Sequence, residues 1–315
     1  MARVHVSRRE ALIGAAILPF VASCSPSAAP VAAGPPPVAK PSRTLGKTGA
    51  AVEAVSLGGE GILRTRGHDD DAVATIVAAL EAGVRYCDTA PAYDQSQDYY
   101  GAAFAKLPGA RERVFLASKT HERTREGALK LLDDSLKRIG TTVLDLWQMH
   151  DLRTTAELDA IFAPGGAIEA AEEAKRAGRV RHIGLTGHFD PAILMTAMSR
   201  YAFDAVLVPI NASDPGRNPF ITTVVAEARR QNMGVIGMKV LARGRLIETG
   251  ASSAKEAIRY AMAHCDTAII GCASPDEIRA NLAIARTETA LAEPERRSLE
   301  ARLSPESARY SFYKA

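Results

Sequence analysis

From Val52 to Arg286 the chain alternates between short apolar runs and amphipathic stretches, and that alternation limits the fold more than any other feature. The apolar runs read as strands: Val52–Leu57, Val84–Cys87, Val114–Ser118, Leu144–Met149, Val180–Thr186, Asp204–Ile210, Gly234–Val240 and Thr267–Gly271. The stretches between them read as helices. Val73, Ile76, Val77 and Leu80 fall at i, i+3, i+4 and i+7, and Gly83 ends that helix. Leu129, Leu132, Leu136 and Ile139 mark another face, and Gln97–Lys106, Ile168–Ala177, Pro191–Arg200, Phe220–Gln231, Ala254–His264 and Pro275–Arg286 supply the rest. Each crossover helix returns the chain to the same edge, so the sheet is predicted to be parallel. Eight such units close into an α/β barrel of the (β/α)8 TIM type, with its site at the C-terminal ends of the strands. An extra helix, Glu293–Leu303, is expected before a polar tail.

The region outside this pattern has a different character. Ser7-Arg8-Arg9 precedes an apolar run from Ala11 to Val21, which Pro19 interrupts and which is too short for a confident membrane span. The Arg pair reads as a twin-arginine export signal, although Ala11 stands where Phe is usual. Val21-Ala22-Ser23-Cys24 resembles a lipoprotein cleavage box, in which Cys24 becomes the lipidated first residue and the one link to a membrane. An ordinary signal peptide with an incidental Cys is the alternative. Residues 1–24 are therefore expected to direct export to the periplasm, and residues 25–42, rich in Ala, Pro and Ser, to form a tether. Residues 43–315, about 270 in all, suit one barrel domain.

Loss of residues 1–23 removes Arg3, Arg8 and Arg9 against Glu10, taking the net charge from +3 to +1. A near-neutral chain argues against nucleic acid as a partner. Cys87, Cys265 and Cys272 form no C-x-x-C, so neither a disulfide framework nor a zinc ribbon is implied.

Four polar residues at the exits of three successive strands carry the chemistry: Asp88 and Tyr93 in DTAPAY, Lys119 in LASK and His150 in WQMH. Singly, each reads as a solvated loop residue, and Asp88-Thr89 as a turn or cap. Together they can put a proton on a carbonyl oxygen. A free Tyr, with a pKa of about 10, is a poor acid near neutrality, and an ammonium beside it favours the phenolate. Lys119 can supply that charge, Asp88 can fix Lys119, and His150 can donate to the same oxygen. Tyr93 is then general acid in reduction and general base in oxidation.

In these residues the chain resembles the aldo-keto reductases over essentially all of 43–315. Arg43–Gly49 is similar to the family's opening β-hairpin, and Val55–Gly59 to its first strand. The set Asp88, Tyr93, Lys119 and His150 is similar to its catalytic tetrad. Met238–Gly244 (MKVLARG) resembles the loop that covers the cofactor pyrophosphate, and Ile270–Ser274 with Glu277 and Asn281 the segment at the adenosine end. The resemblance implies a barrel that binds NADP or NAD, needs no metal, and acts as a monomer on a small carbonyl or sugar-like substrate. It also implies cofactor contacts from Thr186, Asn211, Met238, Lys239, Leu241, Arg243, Gly271, Ser274, Glu277 and Asn281.

Departures from the family pattern bear on detail. Met238 replaces an aromatic that stacks on the nicotinamide, and Thr186-Gly187-His188 stands where a Ser-Asn pair holds its carboxamide. Leu207 replaces a Gln, with Asn211 near enough in sequence to supply an amide. Gly271 and Glu277 occupy positions where Lys and Arg bind a 2′-phosphate, so Glu277 is free to accept from a ribose hydroxyl instead. The choice between NADP and NAD stays open. Lys239 and Arg243 are expected to neutralise the pyrophosphate.

Gly46-Lys47-Thr48 is no P-loop, because Pro41 replaces its first Gly, and Gly58–Gly61 lacks the dinucleotide fingerprint. Three other readings compete with catalysis by hydride transfer. One is a dinucleotide-binding sensor or docking module; another is a Schiff-base lyase using Lys119; the third is a metal hydrolase using His150, His188 and Asp88. A folded protein exported by the twin-arginine route would carry a tightly held dinucleotide with it. Pocket walls are expected from 151–166 and 212–219. The aromatic segment Arg309–Tyr313 is expected either over the pocket or on the outside of the barrel.

Overall fold

The computed structural model describes residues 43–314; the export, lipidation and tether assignments fall on residues outside that range. Eight parallel strands close a barrel: β1 (Val55–Gly61), β2 (Tyr86–Asp88), β3 (Phe115–Thr120), β4 (Leu144–Met149), β5 (Val180–Thr186), β6 (Ala205–Pro209), β7 (Gly234–Met238) and β8 (Thr267–Cys272). β8 pairs with β1 to complete the ring. Side chains two apart on a strand share a face. Tyr86, Ala117, Leu146, Ala205, Leu207, Ile236, Met238 and Ile269 accordingly form one buried cluster inside the barrel. The same alternation carries Asp88, Lys119 and Gln148 inward, one step closer to the C-terminal mouth.

The opposite strand faces pack against the helices in a second, larger apolar cluster. The hairpin Arg43–Thr44 with Ala51–Val52 closes the base, where Leu45 and Val52 join the interior cluster. Its Arg43 donates to the carbonyls of Met262 and Cys265 at 2.8 and 2.9 Å.

Several expected boundaries move. Val52 belongs to the hairpin, and the first barrel strand starts at Val55 and runs to Gly61. Lys119 lies within β3 rather than after it. Thr155–Phe162 is a helix inside the expected loop 151–166, started by a Thr154–Glu157 capping box. The expected helix 220–231 opens with a wider π turn, Ile221–Val225, where Val225 N donates to Phe220 O at 2.9 Å.

The expected polar tail starts exposed and ends buried. After the helix Glu293–Leu303, a further turn, Ser307–Tyr310, leads to Tyr310, Tyr313 and Lys314, all buried.

Candidate active site

Lys119 and Asp88 are both fully buried, and Lys119 Nζ donates to Asp88 Oδ2 at 2.5 Å. A second bond, 2.9 Å to the Thr89 carbonyl, fixes the ammonium between β2 and β3. Burial pushes Asp88 up and Lys119 down from their ordinary pKa values, and the charge of each opposes the shift in the other. Among the described residues, Asp88 Oδ1 has no hydrogen-bond partner of its own, with Tyr86 and Gln148 beside it.

Tyr93 sits in the turn after β2, and Lys119 Nζ lies 4.5 Å from its ring centroid. Gly59 makes room for this turn. A Cβ there would come to 2.6 Å from the Asp88 carbonyl oxygen and 2.8 Å from Tyr93 Cδ2. His150 leaves β4 with its ring edge-on to Tyr93, centroids 5.8 Å apart. The four expected residues do converge on one mouth.

Their electrostatics differ from the expectation in one respect. Burial, followed by the charges of Asp88 and Glu60, raises Tyr93 well above 10, so the free protein does not acidify its phenol. Arg64, whose guanidinium lies 5.7 Å from the ring centroid, works against them. The ammonium is near, but exclusion of water from the phenolate outweighs it. Burial and then Lys119 hold His150 well below 6.5, so at neutral pH it is a neutral imidazole with one N–H to donate.

Lys239 and Arg243 follow β7 at the same mouth. Both have positive φ, 56° each, as does Ala242 at 48°. Three non-glycine residues in the left-handed region within five positions is the kind of strain that collects at binding sites. Glu60, which sequence reasoning had passed over, holds both cations: 2.7 Å to Lys239 Nζ and 3.4 Å to Arg243 Nη2, with Arg64 at 2.9 Å. These charges overcome the cost of burial and bring Glu60 down to about 2. Its only mark in the sequence is a charge inside a Gly-rich strand exit.

The remaining expected contacts lie around the rim. Gly271 on β8 is exposed, and a Cβ there would approach Glu60 C at 2.8 Å and Gly61 N at 2.9 Å. Ser274 caps the helix Pro275–Thr287 by accepting from Glu277 N at 3.3 Å, and Glu277 accepts from Ala273 N at 2.7 Å. Asn281 donates to Cys272 Sγ at 3.5 Å. Thr186 and Met238 are buried at the ends of β5 and β7, while Leu241 packs half-buried on the outer core.

Asn211 is already engaged. Its Nδ2 donates to the Lys239 carbonyl at 3.0 Å and to Tyr313 Oη at 2.6 Å, and its Oδ1 accepts from Ser213. The tail thus does two things, with Tyr310 on the outer core and Tyr313 at the mouth. Lys314, also missed from sequence, is buried, with Nζ 2.5 Å from Asp214 Oδ1 and further bonds to the carbonyls of Arg217 and Asn218.

Among the described residues, no group of three or more His, Cys, Asp or Glu is arranged to hold a metal ion. A closed parallel barrel with a buried Asp–Lys pair, a Tyr above it and a neutral His beside it defines a barrel oxidoreductase site. The chain belongs to the aldo/keto reductase family, whose model matches residues 54–255. It is 30% identical to L-galactose dehydrogenase of Arabidopsis thaliana over 242 residues, 71% of this chain and 74% of that protein. It is 29% identical over 159 residues to 6-dehydroglucose reductase of Novosphingobium aromaticivorans, 46% of this chain and half of that one. The aldo-keto reductase of Klebsiella pneumoniae solved with NADPH superposes with a TM-score of 0.69 at 20% identity, over 84% of this chain and 96% of that one. Aldo-keto reductases use NADP(H). The residues here suit a dinucleotide: two cations, Lys239 and Arg243, on a strained loop at the mouth.

Proposed function

We propose that this chain reduces a carbonyl, or oxidises the corresponding alcohol, with a nicotinamide dinucleotide, Tyr93 supplying or removing the proton. The buried Asp88–Lys119 pair against the Tyr93 ring carries the reading, because it fixes a phenol at the mouth of the barrel. The dinucleotide, when bound, would supply the hydride for the carbonyl carbon. Tyr93, protonated throughout the neutral range, gives its hydrogen to the carbonyl oxygen, completing a two-electron reduction. The adjacent Lys119 ammonium stabilises the phenolate left behind. Neutral His150 donates a second hydrogen bond to that oxygen and orients it.

Lys239 and Arg243, now paired with Glu60, would hold the pyrophosphate, and Ser274, Glu277 and Asn281 would hold the adenosine end. Thr186 and Met238, at the ends of β5 and β7, would lie toward the nicotinamide, whereas the Asn211 amide is already spent on Lys239, Tyr313 and Ser213. Glu277 could accept from a ribose hydroxyl, so either NAD or the NADP usual in the family would serve. The relatives named for galactose and dehydroglucose support a hydroxylated, sugar-like substrate. We further propose that residues 1–24 direct twin-arginine export and lipidation at Cys24, so that the barrel crosses already loaded and works from the periplasmic face.

Tyr93→Phe is the direct test. Turnover of NADH or NADPH with an aldehyde panel should fall by about 10²–10⁴-fold, while dinucleotide binding, followed by fluorescence, persists. Undiminished turnover in that variant would remove Tyr93 from the reaction.

A further inference from the structure

Asp151 and His188 stand at the same mouth as the tetrad and have no part in it. Asp151 directly follows His150 at the exit of β4; His188 lies two residues beyond Thr186 at the exit of β5, and the two strands are paired. His188 Nε2 is 3.3 Å from Asp151 Oδ1. The other carboxylate oxygen, Oδ2, is held by Arg153 at 2.6 Å. Oδ1 is buried and has no hydrogen-bond partner among the described residues.

The other side of the imidazole fixes its hydrogen. His188 Nδ1 lies 3.1 Å from the backbone carbonyl oxygen of Tyr313. A carbonyl oxygen only accepts, so Nδ1 carries the hydrogen. Burial is the largest influence on His188 and lowers it, with Asp151 and the Tyr313 carbonyl opposing. In the neutral ring Nε2 is then a bare lone pair. Two bare acceptors 3.3 Å apart repel one another, and a buried acceptor without a donor is costly to the protein. Two neighbouring hydroxyl hydrogens would satisfy both.

We propose that Asp151 Oδ1 and His188 Nε2 form a substrate subsite for a vicinal diol next to the reacting carbonyl, each accepting one hydroxyl hydrogen. This deepens the carbonyl-reductase reading and rests on it for the position of the carbonyl. Asp151 is close enough to the reacting centre for its charge to act on Tyr93. That same charge disfavours keto acids and other anionic carbonyls and selects neutral hydroxyaldehydes and hydroxyketones. The tail positions the pair: the Tyr313 carbonyl sets the His188 tautomer, and Lys314 secures the tail.

The test compares D-glyceraldehyde with propanal, equal in chain length and differing in the diol, on the full chain. Asp151 has φ 51°, a region Asn tolerates, and an Asn amide can donate to His188 Nε2 and close the subsite from within. Asp151→Asn and His188→Phe should each lower the glyceraldehyde-to-propanal ratio of kcat/KM at least about tenfold. A ratio unchanged in both variants overturns the subsite. Erythritol binding, followed by saturation-transfer NMR, gives a readout without turnover, expected in the parent protein and lost in Asp151→Asn. If neither aldehyde turns over, the reductase reading fails and erythritol decides the subsite: Asp151-dependent binding keeps it, and no binding overturns it.

Discussion

Lys119 and Asp88 make the chemistry readable because a parallel barrel brings every strand exit to one mouth, so four letters in three motifs name a site before any coordinates exist. What the letters do not carry is burial, and burial reverses the expected acidity of Tyr93. The consequence is measurable. A phenol raised well above 10 keeps its proton through neutrality, and an imidazole held well below 6.5 stays neutral over the same range. For carbonyl reduction, kcat/KM, which reports the free enzyme, should therefore carry no limb from Tyr93 or His150 between pH 6.5 and 10, and any alkaline fall in that range belongs to Lys119, whose ammonium burial disfavours. An alkaline limb that stays in place in Lys119→Met would mean that the phenol titrates earlier. Glu60 was illegible for a related reason, since it acts through Lys239, 179 residues away, and the pairing of Asp151 with His188 was hidden because the two lie at the exits of different strands.

The strand and helix count was readable because each element follows its own period, whereas boundaries shifted where packing decided them. Leu45 and Val52 show the difference: both are apolar, but they plug the base instead of extending a strand. That base has its own pattern. Glu53 accepts from Arg85 N, Asp145 from Leu116 N, Asp204 from Ile183 N and Asp266 from Val235 N, each at 2.8 or 2.9 Å, tying neighbouring strand entries together. Burial raises Asp204, but the bonds from Ile183 N and Lys175 and the nearby His182 ring outweigh it and bring the carboxyl from 3.8 to about 2. Such a depressed carboxylate adds stability above its unfolded pKa and loses it as the pH falls from 3.8 through 2. Asp204→Asn should cost about 1 kcal/mol at pH 7, after allowance for solvent screening. The cost should vanish near pH 2 in urea titrations. An equal deficit at both pH values would assign the loss to packing.

At the scale of the molecule, the composition pointed to a polar C-terminal tail, and the fold buries its last residues. Lys314 sits with Asp214, both side chains fully inaccessible, and ties the tail to the loop after β6. Nothing in the local sequence announces this pairing, because Asp214 and Lys314 are 100 residues apart. Lys314→Met leaves a buried carboxylate without its cation, at a cost of about 3 kcal/mol. Amide hydrogen exchange across 211–220 should accelerate in that variant while the base of the barrel stays protected. Slow exchange throughout would show that the aromatic contacts of Tyr310 and Tyr313 suffice. The sulfur atoms of Cys87, Cys265 and Cys272 complete the picture: all three are buried, and burial pushes each thiol up to about 12. Thiolate is the species that peroxides attack and that shuffles disulfides, so these three offer almost none of it. The folded barrel can therefore pass between reducing and oxidising surroundings without cross-linking through them.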